Sequence, residues 1–320
     1  MKLGLIGAGR WGENLIRNFV QLGVLSTICD TNDSALNKIN KRFPTVKLTK
    51  SFLDIINDPS INAVVISAPT KLHEEFAKLS LRAGKHVYVE KPLARNEKGA
   101  IELMQMADEL NLVLMVGHLL LYHPAVNKLK ELIGEGALGE IRYLNSDRRN
   151  FSSVRGDTNV IWDLAPHDIS MINYILSDDN EEECEIELLD AKGFSTSNDN
   201  VFDVAHLDLC FKGNISAHIH NTWIDPLKQC LLTVNGSKKT AVLNDVDTER
   251  KLSLYSMLPD GQILEEHPIY IKDEPLRLEC EHFLDCVKSG KRPLSDAFNG
   301  YKVVRILEKA DFIMNQKSFA

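Results

Sequence analysis

The segment LGLIGAGRWGENLIRNFVQLG, residues 3–23, carries the most structural information in this chain of 320 residues. It begins with a short apolar run, continues with a glycine-rich turn and ends in helical periodicity. Gly7, Gly9 and Gly12 form a G-x-G-x-x-G pattern. The first glycine permits a tight turn, the second lets the backbone approach a pyrophosphate, and the third allows the helix to pack closely on the strand. The segment therefore predicts a strand–loop–helix unit that binds a dinucleotide.

The second predicted strand, VLSTICD at residues 24–30, ends in an acidic residue, Asp30. It lies close to the expected distance of about 20 residues downstream, where a carboxylate accepts both ribose hydroxyls of NAD and repels the 2′-phosphate of NADP. Thr31 and Asn32 follow, so no arginine is present there to attract NADP. We therefore predict NAD as the cofactor. The alternative is that Asp30 only caps the next helix.

Apolar strands and amphipathic helices continue to alternate up to residue 117, in the segments NAVVISAP, 71–83, KHVYVE, 97–110 and LVLMVG. This alternation predicts a parallel sheet with helices on both faces and a ligand crevice at the C-terminal ends of the strands. Three loops are expected to meet at that edge of the sheet. They contain Ser67–Thr70, Glu90–Lys91 and Gly117–His118.

From about residue 121 the pattern changes to a helix followed by long alternating strands and two late helices. The predicted strands are 184–194, 201–211, 214–224 and 228–235, and the helices lie near 276–288 and 297–315. We predict an α/β protein with a dinucleotide-binding Rossmann domain at residues 1–120. A second α/β domain, for substrate binding and oligomerisation, is expected at residues 121–320.

The charge and composition of the chain indicate which kinds of molecule the protein binds. The net charge of −8 argues against nucleic acid or an anionic membrane as the main partner, because both favour a basic surface. Six cysteines without a Cys-x-x-Cys pair, and no N-terminal signal peptide, predict a reducing, cytoplasmic location rather than a disulfide framework. The longest apolar runs are too short to span a bilayer. These features fit a protein that handles a small molecule.

Three motifs together resemble the family named for glucose–fructose oxidoreductase, inositol dehydrogenase and rhizopine-catabolism proteins: GAGRWG at 7–12, YVEKPLA at 88–94 and WDLAPHD at 162–168. The segments GALGEIRYLNSDRRN and EPLRLECEHFLDCV extend the resemblance over nearly the whole chain. It implies a Rossmann domain followed by an α/β domain with a large, mostly antiparallel, open sheet. A sugar or cyclitol is expected to bind between the nicotinamide and that sheet.

The resemblance also implies roles for individual residues. Lys91 matches the lysine that hydrogen-bonds the reacting hydroxyl or carbonyl, His167 the proton acceptor, and Asp163 an acid that contacts the substrate. Whether Lys91 or His167 accepts the proton stays open. The predicted cofactor-binding residues are Gly7, Gly9, Arg10, Trp11, Gly12, Asp30, Ser67, Ala68, Pro69, Thr70, His73, Glu90 and Lys91. The predicted substrate-binding residues are Lys91, His118, Tyr122, Arg148, Arg155, Asp163 and His167.

The segment WDLAPHDIS, residues 162–170, also has a local explanation. We expect Asp163 to cap a helix whose first turn contains Pro166, where the missing N–H has no cost. Asp163 and His167 are one turn apart, so they share a helix face. An imidazole is suited to accept a proton as an alcohol becomes a ketone. The alternative is that His167 is a structural histidine beside a helix cap.

Several other candidates have two interpretations. His118, Tyr122 and His123 contact nicotinamide or substrate, or they pack at the domain junction. Arginines on the strand after residue 140 could bind a pyrophosphate in bidentate fashion. The alternative is that they are solvated surface side chains. Arg142 and Arg148 should lie on one face of the strand and Arg149 on the other. The histidines of SAHIHNTW, His218 and His220, share a strand face but lack a third ligand. We predict no metal there, and instead sheet packing or an oligomer contact.

The segments GRWGENLIRNF, GHLLLYHPA and WDLAPHDISM are most similar to the branch of the family that acts on nucleotide-activated amino sugars. This implies NAD-dependent oxidation of UDP-N-acetylglucosamine to its 3-keto form, which would feed an aminotransferase in the biosynthesis of cell-surface glycan or lipid A. The alternatives are a cyclitol or sugar dehydrogenase or keto-sugar reductase using NAD(P), and a non-catalytic dinucleotide-binding regulator. We expect a homodimer or homotetramer formed through the open sheet face.

Overall fold

The computed structural model describes residues 1–152, 158–177, 186–196, 201–211 and 213–317. The chain divides into two compact units: unit 1 contains residues 1–122 and 273–304, and unit 2 the described residues within 123–272 and 305–320. The predicted end of the first domain, residue 120, is therefore close to the observed one. Residues 273–304, however, belong to unit 1, whereas the sequence placed them in the second domain.

The strands and helices run as follows. The strands are β1 (Leu3–Ile6), β2 (Leu25–Cys29), β3 (Lys47–Thr49), β4 (Ala63–Ile66), β5 (His86–Glu90), β6 (Leu114–Gly117), β7 (Ile141–Phe151), β8 (Ile186–Phe194), β9 (Val204–Phe211), β10 (Ile215–Thr222), β11 (Ile224–Gly236), β12 (Thr240–Asn244), β13 (Leu252–Met257) and β14 (Ile263–Glu266). The helices are α1 (Gly12–Gln21), α2 (Asp33–Arg42), α3 (Leu53–Ile56), α4 (His73–Arg82), α5 (Glu97–Glu109), α6 (Pro124–Gly134), α7 (Val160–Leu176), α8 (Pro275–Ser289) and α9 (Ala297–Lys317).

Unit 1 contains a six-stranded parallel sheet in the order β3-β2-β1-β4-β5-β6. Both faces of its central strands are buried, so β1 and β4 read as continuous apolar runs, LGLI and AVVI. The strand order reverses between β1 and β4, and the ligand crevice of such a sheet lies at this point, beyond the C-terminal ends of the strands. The Rossmann fold predicted from the sequence is confirmed.

Unit 2 contains an eight-stranded sheet in the order β14-β13-β12-β11-β7-β10-β9-β8. Only β7 and β10 pair in parallel, and the other pairs are antiparallel. One face carries the buried residues Leu144, Ile219 and Leu232, and α7 packs against the strands β9 and β10. This is the large, mostly antiparallel sheet that the family resemblance implied.

The opposite face of the unit 2 sheet carries a cluster of imidazoles. His218 and His220 share this face, as predicted, and His206 of β9 joins them. The rings of His206 and His220 stack with centroids 4.5 Å apart, and His206 Nδ1 lies 3.3 Å from His218 Nε2. Within the described ranges, no three or more histidine, cysteine or carboxylate side chains are placed so that they could hold a metal ion.

The helix that carries Asp163 and His167 begins earlier than predicted. Its N-cap is Asn159, whose side chain accepts a hydrogen bond from the Trp162 N–H at 3.4 Å. The prediction that Asp163 is the cap is therefore wrong, and Pro166 lies inside the helix instead of in its first turn. The apolar residues 160, 161 and 164 extend the buried stripe upstream and compensate for the helical hydrogen bond that Pro166 cannot donate.

Some predictions concern residues that are not described. Arg155, a predicted substrate-binding residue, and Cys184 lie outside the described residues. The cysteines at 29, 210, 230, 280 and 286 are free thiols. No helix in the described part of the chain has both the length and the apolar character needed to cross a bilayer.

Candidate functional site

The glycine loop between β1 and α1 is tightly packed at two of its glycines and open at the third. Gly7 has a φ of +97°, and a Cβ there would lie 2.3 Å from the Ser67 carbonyl oxygen. A Cβ at Gly12 would lie 2.0 Å from the Gly7 carbonyl oxygen, whereas a Cβ at Gly9 has no described neighbour within 4 Å. No side chain caps the helix that follows, and the N–H groups of Glu13 and Asn14 donate to the carbonyl oxygens of Gly9 and Trp11. The loop thus fits a pyrophosphate at Gly9.

Asp30, at the end of β2, is fixed against this loop. Its Oδ2 accepts a hydrogen bond from the Ala8 N–H at 2.6 Å, and its Oδ1 accepts one from the Asn32 N–H at 2.8 Å. The N-cap of α2 is Asn32, which accepts from the N–H groups of Ser34 and Ala35, so the alternative that Asp30 only caps this helix is wrong. The remaining lone pairs of the half-buried Asp30 carboxylate can accept ribose hydroxyls, which fits NAD.

Because Gly7 and Gly9 differ in packing, their substitution should affect stability and NAD binding differently. We expect Gly9→Ala to keep the thermal unfolding midpoint of the free protein but to weaken NAD binding by about tenfold or more, since a methyl group there blocks the approach of phosphate. Gly7→Ala should destabilise the free protein by about 1–3 kcal/mol, because it combines a positive φ with a backbone clash. Thermal unfolding and NAD titration calorimetry measure both effects. Normal NAD binding by Gly9→Ala would show that phosphates do not approach the loop there.

His73, a predicted cofactor residue, links two loops of the same sheet edge. The ring is buried, with Nδ1 2.9 Å from the Pro92 carbonyl oxygen and Nε2 2.8 Å from the Ala68 carbonyl oxygen. Burial lowers the pKa of His73. This side chain therefore lies between the loop after β4 and the loop after β5, and as a neutral imidazole it can donate a hydrogen bond to one of the two carbonyl oxygens. Of its predicted neighbours, Pro69 is exposed, and Thr70 begins a short 3₁₀ turn.

Lys91 and His118 follow the adjacent strands β5 and β6, at the same edge of the sheet. Lys91 is half-buried, and its peptide bond to Pro92 is cis. His118 is 1% exposed, and no described atom forms a hydrogen bond with either ring nitrogen. Burial, and after it the charge of Lys91, lowers the pKa of His118 to about 3. A cation and a neutral imidazole therefore lie side by side at this edge.

Tyr122 and His123 favour the packing interpretation. The Tyr122 hydroxyl is buried in unit 1, where it lies 2.9 Å from Ser295 Oγ and accepts a hydrogen bond from the Ser295 N–H at 3.3 Å. His123 caps α6 in unit 2, where its Nδ1 accepts a hydrogen bond from the Ala125 N–H and its Nε2 lies 3.5 Å from Asp245. The Tyr122 hydroxyl and the His123 imidazole thus each form polar contacts within their own unit.

Asp163 and His167 lie one turn apart on α7 in unit 2, and both are half-buried. The indole Nε1 of Trp223, a buried residue just after β10, donates a hydrogen bond to Asp163 Oδ2 at 3.1 Å. Trp223 therefore fixes the orientation of the carboxylate. This partner of Asp163 was not predicted from the sequence, because the two residues are 60 positions apart and only the fold brings them together.

Arg148, a predicted substrate residue, is engaged in a buried ion pair. On β7 it faces α7, where its Nε donates to Asp168 Oδ1 at 3.0 Å and its Nη2 to the same oxygen at 2.8 Å. Asp168 also accepts hydrogen bonds from Ser146 and Asn221. These contacts favour a structural role. Arg149 pairs with Asp147 on the opposite face, as the predicted alternation requires.

Two family models match this chain. Residues 1–118 match an oxidoreductase family with an NAD-binding Rossmann fold, and residues 126–242 match the GFO/IDH/MocA C-terminal domain. Myo-inositol 2-dehydrogenase of Thermotoga maritima is 27% identical over 57% of this chain and 57% of its own length. UDP-N-acetylglucosamine 3-dehydrogenase of Acidithiobacillus ferrooxidans is 30% identical over 53% of each chain.

Solved structures share the fold over nearly the full length. The Acidithiobacillus enzyme superposes with a TM-score of 0.83 over 98% of this chain and 97% of its own, at 22% identity. A 3-ketoreductase from Actinomadura kijaniata, in complex with TDP-benzene and NADP, gives 0.84 over 98% and 97%, at 19% identity. The sequence matches, by contrast, span little more than half the length of the Thermotoga and Acidithiobacillus relatives. With its glycine loop, its Glu-Lys-Pro segment and both matched domains, this chain belongs to the GFO/IDH/MocA family of NAD-binding oxidoreductases.

Proposed function

We propose that this protein is an NAD-dependent dehydrogenase that oxidises a ring hydroxyl of a nucleotide-activated amino sugar, with C3 of UDP-N-acetylglucosamine as the reacting carbon. The main observation in support is the placement of Lys91 beside a neutral, buried His118 at the sheet edge that also carries the glycine loop. The choice of sugar is supported by the 30% identical Acidithiobacillus relative.

Each polar side chain has a distinct task in this reaction. Bound NAD supplies the hydride acceptor. Lys91 stabilises negative charge that develops on the substrate oxygen, by charge and by hydrogen bonding. His167 accepts the hydroxyl proton. Asp163, oriented by Trp223, holds the imidazole or binds a neighbouring substrate hydroxyl. If Lys91 were the proton acceptor instead, its ammonium would first have to lose a proton.

The product suggests the next step. A ketone on an amino sugar is a substrate for transamination, and we propose that a separate aminotransferase consumes it for the biosynthesis of a cell-surface glycan or of lipid A. We also propose that the protein works as a homodimer or homotetramer in the cytoplasm.

A substrate panel tests the proposed function. NADH absorbance is followed with UDP-N-acetylglucosamine, UDP-glucose, free N-acetylglucosamine and myo-inositol, each with NAD and with NADP. We expect kcat/KM for UDP-N-acetylglucosamine with NAD to exceed every other combination by about tenfold or more, since Asp30 opposes the 2′-phosphate of NADP. Equal turnover of the free sugar would contradict recognition of the nucleotide.

A cyclitol dehydrogenase is the second candidate, supported by the similarity to the Thermotoga myo-inositol 2-dehydrogenase over 57% of this chain. It predicts that myo-inositol is the best substrate of the panel. A reductase of keto-sugars predicts oxidation of NADPH instead. A non-catalytic regulator predicts tight NAD binding without turnover of any substrate.

A further inference from the structure

The indole of Trp11 is hydrogen-bonded to the carboxyl group of Glu90 within unit 1. Trp11 lies in the glycine loop directly before α1 and is 39% exposed. Its Nε1 donates to Glu90 Oε1 at 2.5 Å. The N–H of a buried indole usually finds a hydrogen-bond acceptor, and this contact fixes how the Trp11 indole is oriented. This contact joins two segments of the predicted cofactor site that are 79 residues apart in sequence.

Glu90 is held firmly at the ends of β5 and β6. It is 8% exposed, and besides the indole its Oε1 accepts a hydrogen bond from the Tyr88 hydroxyl at 3.2 Å. Its Oε2 accepts from the backbone N–H of Lys91 at 3.3 Å. A Cβ at Gly117 would lie 2.9 Å from each carboxyl oxygen, so the carboxyl group fills the space that a side chain there would need. The carboxyl group thus connects the glycine loop to the backbone of Lys91.

A second buried carboxyl group, on Glu279 of α8, lies close enough to Glu90 for the charge of Glu90 to affect it. Glu279 is 0% exposed, and its oxygens have no hydrogen-bond partner among the described residues. Burial raises the pKa of Glu90 to about 7, although the Trp11 N–H and the charge of Lys91 favour the ionised form. Burial, and after it the charge of Glu90, raises the pKa of Glu279 well above its ordinary value. The titratable groups near Glu90 are Tyr88, Lys91, Glu279 and Cys280.

We propose that Glu90 is a positioning residue, which clamps the dinucleotide-binding loop to the Glu-Lys-Pro segment by accepting the hydrogen bond from the Trp11 indole. The clamp is present in the free protein, and its effect on cofactor binding rests on the proposed function. An ionised carboxylate is a stronger acceptor than a neutral carboxyl group. Because Glu90 ionises near neutrality, the clamp is strong above about pH 7 and weak below it.

Tryptophan emission tests the clamp without any cofactor. The chain has three tryptophans, and the other two, Trp162 and Trp223, lie in unit 2. We expect the emission of the free wild-type protein to titrate with a midpoint near pH 7, and the matched control Trp162→Phe to keep this titration. Trp11→Phe and Glu90→Gln should both abolish it. The same midpoint in Glu90→Gln, or no titration in the wild type, would overturn the proposal.

NAD affinity tests the functional consequence. At about pH 8, Trp11→Phe and Glu90→Ala should each weaken NAD binding by about tenfold, and the double variant should be no weaker than either single one. Glu90→Gln keeps an acceptor oxygen, so its loss of NAD affinity should be smaller than that of Glu90→Ala and independent of pH. Additive losses in the double variant would overturn the clamp. Failure of the wild type to bind NAD would contradict the proposed function, and the emission titration would still test the clamp.

Discussion

Lys91→Ala should lower kcat by about 10²- to 10⁴-fold while the dissociation constant for NAD changes little, and His167→Ala should behave in the same way. Both side chains are assigned to the reacting hydroxyl, and although Lys91 also belongs to the predicted cofactor site, their loss should affect the transition state more than cofactor binding. Steady-state kinetics with UDP-N-acetylglucosamine and NAD titration calorimetry separate the two effects. Lys91→Arg should not restore turnover, because a planar guanidinium does not replace a compact ammonium.

Lys98→Ala is the matched control, since Lys98 is a largely exposed lysine on α5. It should keep both kcat and NAD affinity. If Lys91→Ala and His167→Ala turn over like this control, the roles assigned to both residues are wrong. If they lose NAD binding in proportion to turnover, the two side chains support the cofactor site instead of the chemistry.

Asp168→Ala should lower the free energy of unfolding by about 3–5 kcal/mol, because it leaves the guanidinium of Arg148 buried without a counter-ion. Asp168 is 0% exposed, and its oxygens also accept hydrogen bonds from Ser146 at 2.9 Å and from Asn221 at 2.9 Å. The variant therefore leaves two further buried donors without an acceptor. Urea denaturation at neutral pH measures the loss.

Asp208→Ala is the control on the opposite face of the same sheet. Asp208 pairs with His218 at 2.7 Å, but it is more than half exposed, so its removal should cost less than about 1 kcal/mol. A double variant, Asp168→Leu with Arg148→Met, should recover much of the stability lost in Asp168→Ala, since it removes the charge together with its partner. Equal destabilisation by Asp168→Ala and Asp208→Ala would contradict the buried ion pair.

Local sequence patterns predicted the Rossmann unit well. The glycine spacing at 7, 9 and 12 and the apolar strands that follow each reflect interactions within a few residues, so the sequence alone specifies them. Asp30 was also located correctly at the end of β2. Four strands of unit 2, β8 to β11, were predicted within about four residues for the same reason, because side-chain alternation is a local property, whereas β12, β13 and β14 were not predicted.

Features that depend on distant contacts were not predictable. The apolar stripe of EPLRLECEHFLDCV predicts a buried helix but not that α8 belongs to unit 1. Asn159 and Asp163 are both good caps, and only the packing of the residues between them determines where α7 begins. The contact from Trp11 to Glu90 spans 79 residues and follows from the strand order, which a single sequence does not show.

Hydride transfer from a labelled substrate tests the proposed reaction most directly. UDP-N-acetylglucosamine carrying deuterium at C3 is incubated with the wild-type protein and NAD, and the reduced cofactor is analysed by mass spectrometry. We expect the deuterium to appear in NADH, and Lys91→Ala to form little of this product. Reduced cofactor without deuterium, or no reduction with this substrate, would contradict oxidation at that carbon.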